Sequence, residues 1–141
     1  IVRQKEGNMA TRSSIAMKTE NGIRGIYCHW DGYPEHNGDI LSKHYIDPAK
    51  VKSLIDLGDI SALRKEIGQK HSFDAQYSDQ PELKEMFDDW TLAYHRDRGE
   101  EWANTAPQTY ATVKEWQEAF DGSGCEYFYL FDNNKWEVSN A

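Results

Sequence analysis

The sequence predicts a single α+β domain: a mostly antiparallel sheet of about five strands, made by N- and C-terminal β-hairpins plus one further strand, with helices packed on one face. Three observations lead there. Turn signals at Thr19-Glu20-Asn21-Gly22 and Asp132-Asn133-Asn134 each separate two β-prone runs, which predicts a hairpin near each end of the chain. Between them lie amphipathic segments that open on Pro and close on Gly, the punctuation of helices. The resulting order of hairpin, helices, strand, helix, hairpin lacks the regular strand and helix alternation that builds a parallel doubly wound sheet. With 141 residues, 38% hydrophobic and 28% charged, the chain suffices for one core without disulfide or metal staples.

The elements follow in order. Ile1 to Asn8 precede a Met-Ala-Thr triplet at Met9 and read as an expression scar or upstream extension, leaving 9–141 as the domain. Arg12 to Lys18 and Ile23 to Trp30 form the first hairpin. In its second strand a period of two puts Arg24, Ile26, Cys28 and Trp30 on one face and Ile23, Gly25, Tyr27 and His29 on the other. Pro34 starts a helix to about Tyr45, and Asp47-Pro48 starts another whose Val51, Leu54 and Ile55 form an apolar stripe before Gly58. Ile60, Leu63 and Ile67 continue at helical spacing to Gly68 and predict a third, shorter helix. Gln69 to Ser78 is a polar loop; Pro81 then opens a helix with Leu83, Met86, Phe87 and Trp90 on its core face. Thr91 to His95 predicts a short strand running into the charged turn Arg96-Asp97-Arg98-Gly99-Glu100. Thr112 and Glu115 have capping-box spacing ahead of a helix with Val113, Trp116 and Phe120 along one face, and Cys125 to Phe131 with Lys135 to Val138 make the last hairpin.

Charge and composition exclude several classes. A net charge of −8 disfavours direct binding to a nucleic-acid backbone. Cys28 and Cys125 are too sparse for a disulfide framework, and read as reduced core residues of a cytoplasmic protein. No segment has the length of apolar sequence needed to span a membrane. Hydrolase and nucleotide-loop templates are missing: there is no G-x-S-x-G elbow, no P-loop and no G-x-G-x-x-G after a strand.

Two constellations remain as candidate sites. Tyr27, His29, Trp30, Asp31, Tyr33 and His36 cluster at a strand-to-helix junction, where aromatic rings can stack on a base or sugar. Nearby Glu35 and Asp39 add carboxylates, but no HExxH, CxxC or His-x-His spacing enforces a metal site, and neither metal nor cofactor is expected. Arg96 and Arg98 offer two guanidinium forks for a phosphate or carboxylate; the alternative is mutual salt bridging with Asp97 and Glu100. If the two clusters meet, they make a site for a nucleotide or a related signal. A hydrolase or nuclease site assembled from His, Asp and Glu is a further possibility. Separately, Asp74 to Glu101 holds nine carboxylates against three cations, and Asp79, Glu82, Glu85, Asp88 and Asp89 make an acidic face able to dock a basic partner.

The runs Ile26 to Tyr33 (IYCHWDGY), Leu57 to Ser61 (LGDIS) and Arg96 to Glu100 (RDRGE) resemble a group of small, uncharacterised phage and prophage proteins, over Met9 to nearly the end of the chain. The resemblance implies an accessory protein acting in the cytoplasm of an infected bacterium. Its expected function is non-catalytic inhibition of a host protein, such as a defence component. Binding or sequestering a nucleotide signal is the alternative.

Overall fold

The computed structural model describes residues 10–73 and 79–140, apart from the side chains of Leu83, Met86 and Phe87. The fold is α+β, as the sequence predicts. Strands β1 (Arg12–Thr19) and β2 (Gly22–Cys28) form the first hairpin, and β6 (Cys125–Asp132) and β7 (Lys135–Asn140) the last. Between them come a π-helical turn at Pro34–Gly38, α1 (Asp39–His44), α2 (Pro48–Asp56), β3 (Ile60–Ala62), α3 (Pro81–Asp89) and β4 (Leu92–Ala93). Then follow α4 (Tyr94–Arg98), α5 (Trp102–Thr105), β5 (Gln108–Tyr110) and α6 (Val113–Asp121).

Among the described residues the sheet has seven strands, in the order β4-β3-β2-β1-β6-β7, with β5 alongside β2. It is mixed rather than wholly antiparallel. The two hairpins join through a parallel β1–β6 ladder in which Ile15 faces Tyr129, and β2 meets β3 in parallel at Cys28 and Ile60. The remaining pairings are antiparallel. Helices cover both faces, not one. On the first face Ile15, Ile26, Tyr129 and Phe131 pack with Leu41 of α1 and Val51, Leu54 and Ile55 of α2. On the second, Ala16, Ile23, Phe128 and Leu130 pack with Trp116 and Phe120 of α6. This alternation places successive residues of β1 and β6 in different cores, so a slip of one register would exchange them. Cys28 and Cys125 are free thiols buried in the two separate cores, and burial raises their pKa to about 11 and about 12.

Local chemistry explains most of the elements. Asp47 Oδ1 accepts a hydrogen bond from the Ala49 amide (2.9 Å) at the start of α2, and Thr112 Oγ1 accepts one from the Glu115 amide (3.1 Å) at the start of α6. The last hairpin turns on Asn133 and Asn134, both with positive φ (55° and 63°). The first hairpin turns instead on Glu20 and Asn21. Thr19 pairs with Gly22, whose φ is 133°, and a Cβ there would collide with the Tyr110 carbonyl oxygen of β5.

Two element assignments change as well. The helix expected over Ile60 to Gly68 is strand β3 followed by irregular chain; Ile60, Ser61 and Ala62 are all buried between β2 and β4, and that burial overrides the helical spacing. The strand expected at Thr91 to His95 is only Leu92–Ala93, and the charged run after it is helix α4 rather than a turn. Asp97 causes this: its Oδ2 reaches back to accept from the Ala93 amide (2.7 Å), and Gly99 then ends the helix at a φ of 79°. The expected extension at Ile1 to Asn8, the 74–78 part of the polar loop and the core stripe of Leu83, Met86 and Phe87 lie outside what is described.

Candidate functional site

A cleft of about 440 Å³ opens where the chain leaves the end of β2. Pairing continues beyond the strand: the His29 amide donates to the Ile60 carbonyl (3.2 Å) and the Trp30 amide to the Ser61 carbonyl (3.0 Å), which seats both side chains beside β3. The next two residues are held from both sides. Asp31 has a left-handed backbone (φ 56°), while the Gly32 amide donates to the Thr11 carbonyl (2.8 Å) and the Tyr129 hydroxyl to the Gly32 carbonyl (2.6 Å). A Cβ on Gly32 would lie 2.7 Å from the Ser13 Cβ, so the tight turn requires glycine. Such a strained, over-determined turn is characteristic of positions that present a side chain for binding. Here it leaves Trp30 on the rim, 41% exposed, with His29 edge-on to its ring at 4.6 Å.

The opposite wall comes from β3, β4, α4 and the irregular chain after β3, and contributes Ser61, Ala62, Arg64, Phe73, Leu92, Tyr94 and Arg98. Arg98 lies over two aromatic rings, 4.9 Å from Phe73 and 4.8 Å from Tyr94, and its Nε donates to Glu100 Oε2 (2.9 Å). Stacking fixes the guanidinium plane, and with Nε engaged by Glu100 it is the two terminal nitrogens that face an anion.

His29, Trp30, Asp31 and Arg98 of the two predicted clusters therefore meet in one cavity. The other predicted ligand residues do not line it. Tyr27 acts behind His29, its hydroxyl 2.8 Å from His29 Nδ1. Tyr33 is an exposed ring beside His36, and His36 lines an adjoining cavity. Arg96 is occupied by the fold: it donates to the Thr91 carbonyl (2.7 Å), the Ile67 carbonyl (2.9 Å) and both oxygens of Asp97 (2.9 and 3.0 Å). Ser61, Arg64, Phe73 and Tyr94 were not singled out from sequence. Only Tyr94 and Arg98 carried a signal, a spacing of four that stacks a cation on a ring once the segment is helical.

The electrostatics favour an anion with a planar part. Burial lowers the pKa of His29, with the Arg12 guanidinium adding to it, so the ring is neutral near pH 7. Burial raises the pKa of Tyr94, against an opposing hydrogen bond from Ser61. The nearby Asp31 charge raises that of Tyr33. Arg64 and Arg98 face the lining carboxylate Asp31, and Glu100 pairs with Arg98 from outside the lining. Among the described residues no group of three or more His, Cys, Asp or Glu side chains is placed to hold a metal. Nor is any helix among them long and apolar enough to cross a membrane.

None of the acidic-face residues lines this cleft, although Asp88 lines the adjoining cavity. Asp79, Glu82, Glu85 and Asp88 are exposed, while Asp89 sits 3.5 Å from Lys65 Nζ. Comparison with known proteins finds no matching family model, no matching curated protein and no matching solved structure.

Proposed function

We propose that this protein binds, without turning over, a small planar anion of the nucleoside monophosphate class in the cleft between the end of β2 and helix α4. The observation that carries the reading is the meeting of Trp30 and Arg98, 68 residues apart in the chain, around one cavity of about 440 Å³. That volume falls in the range of small-ligand sites, roughly 300 to 1,000 Å³. Trp30 stacks on the base, and Arg98 with Arg64 takes the phosphate. Stacking on an aromatic side chain contributes roughly 1 to 3 kcal/mol per base, and a charge-assisted phosphate contact adds to it. If the chain serves a phage, as its motifs imply, such binding would withdraw a nucleotide signal from a host defence.

A second reading, inhibition of a basic host protein by the acidic face, is supported by the exposure of Asp79, Glu82, Glu85 and Asp88 on and beside α3. Thermal shift against a panel of nucleotides separates the two. The proposal expects a rise in Tm with one or more nucleoside monophosphates that is lost in Trp30→Ala and in Arg98→Ala. No shift across the panel, together with stoichiometric capture of a host protein that Glu82→Lys and Glu85→Lys abolish, would replace it with the second reading.

A further inference from the structure

The cleft does not end at Asp31. A second cavity of about 450 Å³ adjoins it, and Asp31 and Arg64 line both. The second cavity is close in volume to the first, and its wall sets His36, His44 and Lys65, with Ile40, opposite the carboxylate of Asp88. Lys65 reaches Asp89 at 3.5 Å with its side chain 48% exposed, and His36 Nδ1 bonds Asn37 Oδ1 at 2.9 Å, which fixes that ring against the protein.

We infer that the occupant is a dinucleotide, one nucleotide in each cavity, with the linking phosphate at the Arg64 divide. This rests on the nucleotide reading above and extends it. Two nucleotide-sized cavities that share one guanidinium fit a ligand of two units joined through a phosphate, and the second cavity has no role for a mononucleotide. Linking the units makes the second binding event intramolecular, so affinity rises without any further contact. A free dinucleotide is favoured over a segment of a longer strand, because the chain's net charge of −8 repels an extended polyanion.

The test is isothermal titration of the full chain with AMP, the linear dinucleotide pApA and a single-stranded dA dodecamer. The inference expects pApA to bind at least ten-fold tighter than AMP. In the His44→Ala, Lys65→Ala double variant, two exposed positions outside the first cavity, pApA should weaken at least five-fold while AMP is unchanged. Trp30→Ala should weaken both ligands. AMP binding with pApA no tighter would overturn the dinucleotide inference and leave the mononucleotide reading standing. A dodecamer ten-fold tighter than pApA would assign the cavities to a nucleic-acid strand. If neither AMP nor pApA binds, the nucleotide reading and this inference fall together.

Discussion

The two sides of β2 are held by different forces. Toward β1 and β6 the sheet is secured by long ladders and by side chains that interlock on both faces, with Trp116 Nε1 donating to Ser14 Oγ (2.8 Å) as a polar bond buried within the packing. Toward β3 and β4 the ladders shrink to one or two residue pairs, and side chains bonded to backbone replace them. Asp59 Oδ1 accepts from the Tyr27 amide (2.9 Å), filling the edge of β2 between β5 and β3. Thr91 Oγ1 accepts from the Arg64 amide (3.0 Å), and Asp97 gathers Ala93, Arg96 and the His71 amide around a fully buried carboxylate. The cleft lies on this second side. Short strands tied by polar latches leave room for a cavity that a continuous ladder would fill, and the latches hold its walls at fixed positions.

The strongest way to break this contrast is to remove a latch. Asp97→Ala strands the Arg96 guanidinium and two buried amides, and should cost about 3 to 5 kcal/mol by urea denaturation. A loss under about 1 kcal/mol would mean that apolar packing holds this side as well. Arg96 and Arg98 sharpen the point because they stand two residues apart and do opposite work. Arg96→Ala should destabilise by about 3 kcal/mol, since it leaves Asp97 buried without its cation. Arg98→Ala removes an exposed pair with Glu100 and should change stability by no more than about 1 kcal/mol, while abolishing nucleotide binding in the same titration. On the apolar side Trp116→Phe keeps the ring in the core and loses the bond to Ser14, for an expected cost of about 1 to 2 kcal/mol.

A further effect concerns pH. Burial raises the pKa of Asp59 to about 6 against the opposing bond from the Tyr27 amide, from an ordinary value near 3.8. Between those two values the folded chain holds a proton that the unfolded chain has released. Asp59 therefore makes stability fall as pH rises through about 6, and rise as pH is lowered from 7 toward 4. Asp59→Asn keeps an acceptor for the Tyr27 amide and should flatten this part of the profile of urea midpoint against pH. An unchanged slope in the variant would assign the pH dependence elsewhere.

The same contrast sets what the sequence revealed. Turns and helix starts are local chemistry, so the second hairpin turn at Asn133 and Asn134 and the caps at Asp47 and Thr112 could be read directly. The first hairpin was legible although its turn is Glu20-Asn21 rather than Asn-Gly, because Gly22 marks the place either way. The parallel β1–β6 ladder joins segments more than a hundred residues apart and leaves no local trace. Strands β3 and β5 are three residues each, too short to show a period of two. The site divides along the same line. His29, Trp30, Asp31 and Arg98 announce themselves as polar and aromatic clusters. Ser61 and Arg64 become wall residues only because β3 pairs with β2, a long-range event that replaced the helix expected there. Arg96 looked equivalent to Arg98 until Asp97 wound the segment into a helix and claimed one of them.

The central claim is that a nucleotide occupies the cleft between the end of β2 and α4. Mapping of ¹⁵N amide shifts during titration with AMP tests it most directly, because it reads position as well as affinity. The account predicts saturable perturbations confined to Trp30 and its indole, Asp31, Ser61, Tyr94 and Arg98, with the amides of α6 and β7 unmoved. Perturbations centred on α3 and absent from Trp30 and Arg98, or none at millimolar AMP, would contradict it.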